Sequence, residues 1–186
     1  MKKQIKTMAF AIILMVSAST AGKSQVFQEG DKLLNIGIGL GSNLGGSGYS
    51  NTIPPISASL EYGITEDISV GGLVSYSGSS YKIPTGFGDY EFTYSYIVIG
   101  ARGSYHLDVS DKFDPYGGLL LGYNIASVNV NEPAGYTGFP INATSAGGII
   151  LAGHVGGRYY FNEKTAAFAE LGYGISFLTL GASFKF

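Results

Sequence analysis

Residues Phe177 to Phe186 read FLTLGASFKF. Leu178, Leu180, Ala182, Phe184 and Phe186 are apolar, while Thr179, Gly181, Ser183 and Lys185 are small or polar. That is strict period two, with one apolar and one polar face. Soluble domains tend to close on a frayed polar tail, whereas this run closes on an aromatic ring. The fold turns on which solvent its apolar face meets.

Seven earlier runs repeat the pattern. In the first, Leu34, Ile36, Ile38 and Leu40 oppose Asn35, Gly37, Gly39 and Gly41. In the second, Ile56, Ala58, Leu60 and Tyr62 oppose Ser57, Ser59, Glu61 and Gly63. In the third, Ile68, Val70, Gly72, Val74 and Tyr76 oppose Ser69, Gly71, Leu73 and Ser75. The fourth sets Ile97, Ile99, Ala101, Gly103, Tyr105 and Leu107 against Val98, Gly100, Arg102, Ser104 and His106. The fifth sets Leu119, Leu121, Tyr123 and Ile125 against Gly118, Leu120, Gly122, Asn124 and Ala126. The sixth sets Ile149, Leu151, Val155, Tyr159 and Phe161 against Ile150, Ala152, His154, Gly156 and Arg158. The seventh sets Ala167, Ala169, Leu171 and Tyr173 against Phe168, Glu170 and Gly172.

Each run approaches the roughly 9–11 residues of a tilted membrane-crossing strand. The links alternate in length. Short charged turns fall at Thr65-Glu66-Asp67, Asp108 to Lys112 and Asn162 to Thr165. Longer links fall at Ser42 to Pro55, Ser77 to Glu91 and Asn129 to Ala146, and the last link, near Ile175-Ser176, is short. This alternation predicts an eight-stranded antiparallel up-and-down β-barrel, short turns at one end and long loops at the other.

The first residues carry a basic segment (Lys2, Lys3, Lys6), an apolar stretch from Met8 to Val16, and small residues at Ser19 and Ala21. That order is a secretory signal peptide over residues 1–24, cleaved after Ala21 or Ser24, with the barrel domain over 25–186. Cleavage removes Lys2, Lys3 and Lys6, and after Ser24 also Lys23, from a chain whose formal charge is already −2. The acidic remainder argues against nucleic acid as a partner. There is no Cys, hence no disulfide framework or thiolate metal site.

A soluble barrel points its apolar face inward and shows charge to water, about 25–35% of the surface. Here the polar faces carry mostly Gly, Ser, Asn and Ala. Their mid-strand charges are Glu61, Arg102, Arg158 and Glu170, with Lys185 near the end. The apolar face therefore meets lipid, and the polar face fills an interior with room for side chains and little else. Aromatics on the apolar faces sort by height. Tyr62, Tyr105, Tyr159, Phe161 and Phe186 lie near the short-turn ends, and Tyr76, Tyr123 and Tyr173 near the long-loop ends. Two girdles around an aliphatic band suit the two membrane interfaces. Lipid offers no partner to free backbone groups, so the last strand must close on the first.

On these features the chain, from Lys32 to Phe186, resembles the small eight-stranded outer-membrane β-barrel proteins, the OmpA-transmembrane and OmpX-like group. The resemblance implies an integral barrel in the outer membrane of a Gram-negative cell. It also implies that the terminal strand, with Phe184 and Phe186, is the signal read by periplasmic chaperones and the barrel-assembly machinery. No peptidoglycan-binding domain follows the barrel, so wall anchoring is not implied. Fold does not name an activity.

By parity Glu61, Arg102, Arg158 and Glu170 all point inward near the short-turn end, and they are expected to meet in one lumen layer. The plainest role is mutual neutralisation, since an unpaired buried charge is costly; the functional version is a gate. His154 and His106 also point inward, at heights too different for a shared metal. A lipid-modifying enzyme would need a Ser–His–acid set facing lipid; with both histidines inward, no enzyme and no cofactor are expected. GLGSNLGGSG, Gly39 to Gly48, lacks the following helix that a phosphate-cradling loop requires. Tyr49, Tyr81, Phe87, Tyr90, Tyr136 and Phe139 lie in the long links, where they suit contact with an extracellular protein or glycan. The expected role is structural or surface-interacting. A narrow porin-like channel is the alternative, and a lipid-modifying enzyme or a soluble carrier barrel stands behind it.

Overall fold

The computed structural model describes residues 26–42, 44, 50–85, 88–131 and 146–186. The eight strands are β1 (Lys32–Leu40), β2 (Ser50–Gly63), β3 (Ile68–Thr85), β4 (Gly88–His106), β5 (Phe113–Asn131), β6 (Ala146–Asn162), β7 (Thr165–Tyr173) and β8 (Leu178–Lys185). They form one closed barrel in sequence order. All neighbours are antiparallel, and the seam is closed by β1 on β8 from Leu33↔Lys185 to Leu40↔Leu178.

The wall is the reverse of a soluble protein's. Its apolar face is the outside: Leu119 is 62% exposed, and Ile36, Ile38, Leu60, Val74, Ile99, Leu121, Leu151 and Leu180 are exposed with it. Asn35, Ser59, Glu61, Ser69, Arg102, Arg158 and Ser183 are buried inside. An apolar exterior around a polar interior is stable in hydrocarbon and would aggregate in water. The soluble-carrier reading fails on that point. Inside, small residues make room for large ones. The Phe168 ring lies where a side chain at Gly37 or Gly181 would have to be, the interdigitation that a narrow barrel needs.

The long links are shorter than expected. β3 runs on to Thr85 and β4 resumes at Gly88, paired through to Thr85↔Gly88, so Ser77 to Glu91 is a tall hairpin rather than a loop. β2 likewise begins at Ser50, and β5 and β6 reach Asn131 and Ala146. The β3–β4 extension is Ser- and Tyr-rich and does not keep the strict apolar alternation of the wall, as suits strand that stands above the lipid. Antiparallel pairing holds it without that alternation. Tyr81 and Tyr90 are therefore strand residues. Tyr49, Phe87, Tyr136, Phe139 and the signal peptide lie outside the described residues.

Candidate functional site: the filled lumen

The four inward charges predicted from parity are brought together. Glu61 comes from β2, Arg102 from β4, Arg158 from β6 and Glu170 from β7. Arg158, fully buried, donates from Nη2 to Glu61 Oε1 at 3.0 Å and from Nη1 to Asp114 Oδ2 at 2.9 Å. Its Nε donates to Asn35 Oδ1 at 3.3 Å and to Ser183 Oγ at 3.2 Å. Ser183 Oγ in turn donates to Asn35 Oδ1. Arg102 Nη2 donates to Glu170 Oε2 at 2.8 Å. Its Nε lies 3.4 Å from Glu61 Oε1, near enough to pair by charge, yet makes no hydrogen bond.

Glu61 is the hub. Its Oε1 also accepts from Asn35 Nδ2 at 2.6 Å, and its Oε2 accepts from Ser69 at 2.9 Å and Ser104 at 3.3 Å. Tyr116 supplies a floor: Arg158 Cζ sits 4.0 Å from its ring centroid, and its hydroxyl donates to Glu170 Oε2 at 3.1 Å. Cation–ring contact and charge-assisted hydrogen bonds are both strengthened by desolvation.

The sequence reading missed Asp114, Tyr116 and Asn35. Asp114 precedes Pro115 and follows a charged turn, so it reads as loop; its parity with Tyr116, Gly118 and Leu120 was the available signal. The histidines are also closer in role than expected. His106 Nδ1 meets Asp114 Oδ1 at 2.8 Å and its Nε2 meets Ser69 Oγ at 2.9 Å. His154 Nε2 meets Ser104 Oγ at 3.0 Å. Both serines bond the same carboxylate, Glu61, so the two rings flank one hub. Ser69, His106 and Asp114 have the atom order of a hydrolase triad. Ser69 is wholly buried, however, and its hydroxyl donates to Glu61.

Above the charged layer, toward the long-loop end, the lumen turns apolar. Leu73, Val98, Leu120 and Ala152 form a buried cluster, with Leu44, Ile150 and Ile175 packed against it. Among the described residues, cavities of about 40 Å³ and 10 Å³ lie beside these layers, room for single waters rather than a solute. On the outer wall Tyr62, Tyr105, Tyr159, Phe161 and Phe186 are exposed toward the short-turn rim, and Tyr76, Tyr123 and Tyr173 toward the other. Phe184 faces out beside them on β8. Among the described residues no group of His, Asp and Glu is arranged to hold a metal.

The sequence profile of the outer membrane protein beta-barrel domain family matches residues 8–185. No curated protein matches the chain in sequence. Among solved structures, the outer membrane protein OprG of Pseudomonas aeruginosa superposes with a TM-score of 0.64 at 15% identity, over 88% of this chain and 99% of that one. Ail, the attachment invasion locus protein of Yersinia pestis, in complex with the heparin analogue sucrose octasulfate, superposes at 0.52 and 15% identity, over 86% and 100%. A de novo designed transmembrane β-barrel superposes at 0.50 and 13% identity, over 86% and 98%. Likeness at such identities is likeness of fold.

Proposed function

The chain belongs to the outer membrane protein beta-barrel domain family, a barrel of the cell outer membrane, and on that premise we propose that it is a sealed barrel with a surface-interaction role. The lumen carries this reading. An ion-paired layer and an apolar layer are stacked in one bore, and an apolar constriction resists wetting even where its radius would admit water. What is left to work with is the rim. The tall β3–β4 hairpin holds Tyr81 and Ile83 exposed, rigid aromatic and aliphatic surface of the kind that binds protein or glycan. Its Lys82 is tied to Glu91 at 3.8 Å, with Asp89 close by in sequence. A polyanion like the heparin analogue on Ail is thus a poor fit, and a neutral glycan or an apolar protein patch a better one.

We read Ser69, His106 and Asp114 as part of the seal, because Ser69 is wholly buried and its proton serves Glu61. Phe184 and Phe186 present the outward aromatic strand that assembly factors and periplasmic chaperones would bind during biogenesis, and outer-membrane lipid surrounds the finished wall. The test is conductance of the refolded, heat-modifiable protein in a planar bilayer. A silent folded barrel is the expected result. Discrete steady steps would replace this reading with a narrow porin-like channel, with Arg102 and Glu61 as its selectivity residues.

A further inference from the structure

A short segment ahead of β1 crosses the short-turn mouth. Phe27 is 2% exposed, and its ring stacks on His106 with centroids 3.7 Å apart and planes at 8°. The backbone around it is pinned on both sides. Gly30 N donates to Gly63 O at 2.9 Å, and Gly63 N donates to Asp31 O at 2.9 Å, tying the segment to the end of β2. On the other side Lys185 Nζ, from the end of β8, donates to Val26 O at 2.8 Å and to Asp31 Oδ2 at 3.3 Å. Asp31 Oδ2 also accepts from Gln28 N at 2.9 Å, closing a tight turn. Gly30, at φ 88°, gives that turn a left-handed residue that a side chain would strain.

We propose that Val26–Asp31 is a strap that corks the periplasmic mouth with Phe27 and clasps the β1–β8 seam from β2 across to β8. Space is distributed as a cork requires. Outside the strap the mouth opens into a cavity of about 540 Å³ lined by Val26, Asp31, Lys112, Tyr160, Lys185 and Phe186. Where Phe27 packs beside His106, Asp114 and the turn at Asp108 and Ser110, the space is about 10 Å³. The face of His106 that would meet this outer water is covered by a ring of matching shape, which keeps the charged layer desolvated. Gly63 shows that the fit was made for the strap. A side chain there would strike Gln28 O and Phe27 Cζ at 2.5 and 3.0 Å, with Gly30 N next at 3.4 Å. Either signal-cleavage position leaves Phe27 in the mature chain.

The chain has no tryptophan, so Phe27→Trp installs a single indole reporter in the cork. In refolded, heat-modifiable protein, the emission of that indole should be blue-shifted and resist iodide. Adding Gly63→Val should evict the strap, shift emission to the red and raise quenching severalfold while the folded gel band persists. Lys185→Met should do the same to a smaller extent. Quenching of the indole in the folded single variant as ready as in denatured protein would overturn the proposal, and so would emission that Gly63→Val leaves unmoved. Should Phe27→Trp not fold, backbone hydrogen exchange of 26–31 decides the matter without a substitution at Phe27. Slow exchange in wild type that becomes fast in Gly63→Val supports the strap; fast exchange in wild type overturns it.

Discussion

The lower and middle layers of the lumen fill the same bore by opposite means. In the lower layer three carboxylates (Glu61, Asp114, Glu170) and two guanidiniums (Arg102, Arg158) occupy positions set by directed ion pairs and hydrogen bonds. In the middle layer Leu73, Val98, Leu120 and Ala152 merely touch. Charges in a closed space stabilise only as a complete set, because each partner removed strands another. Apolar contacts are lost one methylene at a time. The lower layer therefore fixes which strands stand opposite one another, and the middle layer keeps water from reaching it.

That contrast can be broken by substitution. Arg158→Ala should have the largest effect, about 3–5 kcal/mol by urea unfolding in bilayers, since Glu61 and Asp114 both lose a buried partner. A loss no greater than that of a surface arginine would mean the layer is hydrated and loosely held. Leu120→Ala should follow, at about 2–4 kcal/mol, from a cavity in the middle layer. If it proved costlier than Arg158→Ala, the roles assigned to the two layers would be reversed. Smaller again is the non-additivity between Arg102 and Glu170. The double alanine variant should cost less than the two single variants combined by about 1–3 kcal/mol, and simple additivity in the double-mutant cycle would argue that their 2.8 Å contact carries no coupling.

The two layers were unequally legible in the sequence. Period two placed the eight strands and the inward parity of Glu61, Arg102, Arg158 and Glu170, because charge is conspicuous in a lipid-facing protein. The apolar layer was hidden in plain view: Leu73, Val98 and Leu120 stand in the polar columns, where single leucines and valines look like exceptions to a pattern. Only their packing across the bore, from β3, β4, β5 and β6, shows that the exceptions form one cluster. Asp114 escapes because a proline and a charged turn beside it mask the start of its strand. Phe27 escapes because a cork lies outside any alternating run and is recognised only by what it covers. The tall β3–β4 hairpin escapes because Ser- and Tyr-rich strand above the lipid has no reason to alternate with apolar residues.

The seam between β1 and β8 has one further consequence. In an open sheet a pair of strands can slip by one residue and disturb only what lies beyond it. Here the last pairing, Leu33↔Lys185 through Leu40↔Leu178, returns to the strand where the count began. Every offset around the ring must therefore sum to a fixed shear. A one-residue slip anywhere would turn a strand's serines toward lipid and its leucines toward Arg158, and it could not be absorbed locally. The irregularities at Asn51/Ile53 and Ile53/Ile56 in β2–β3 and at Tyr160/Asn162 in β6–β7 lie at the ends of their ladders, outside the stretch where the count is kept. In this molecule register is a property of the whole circle, and each strand is proofread by the seven others.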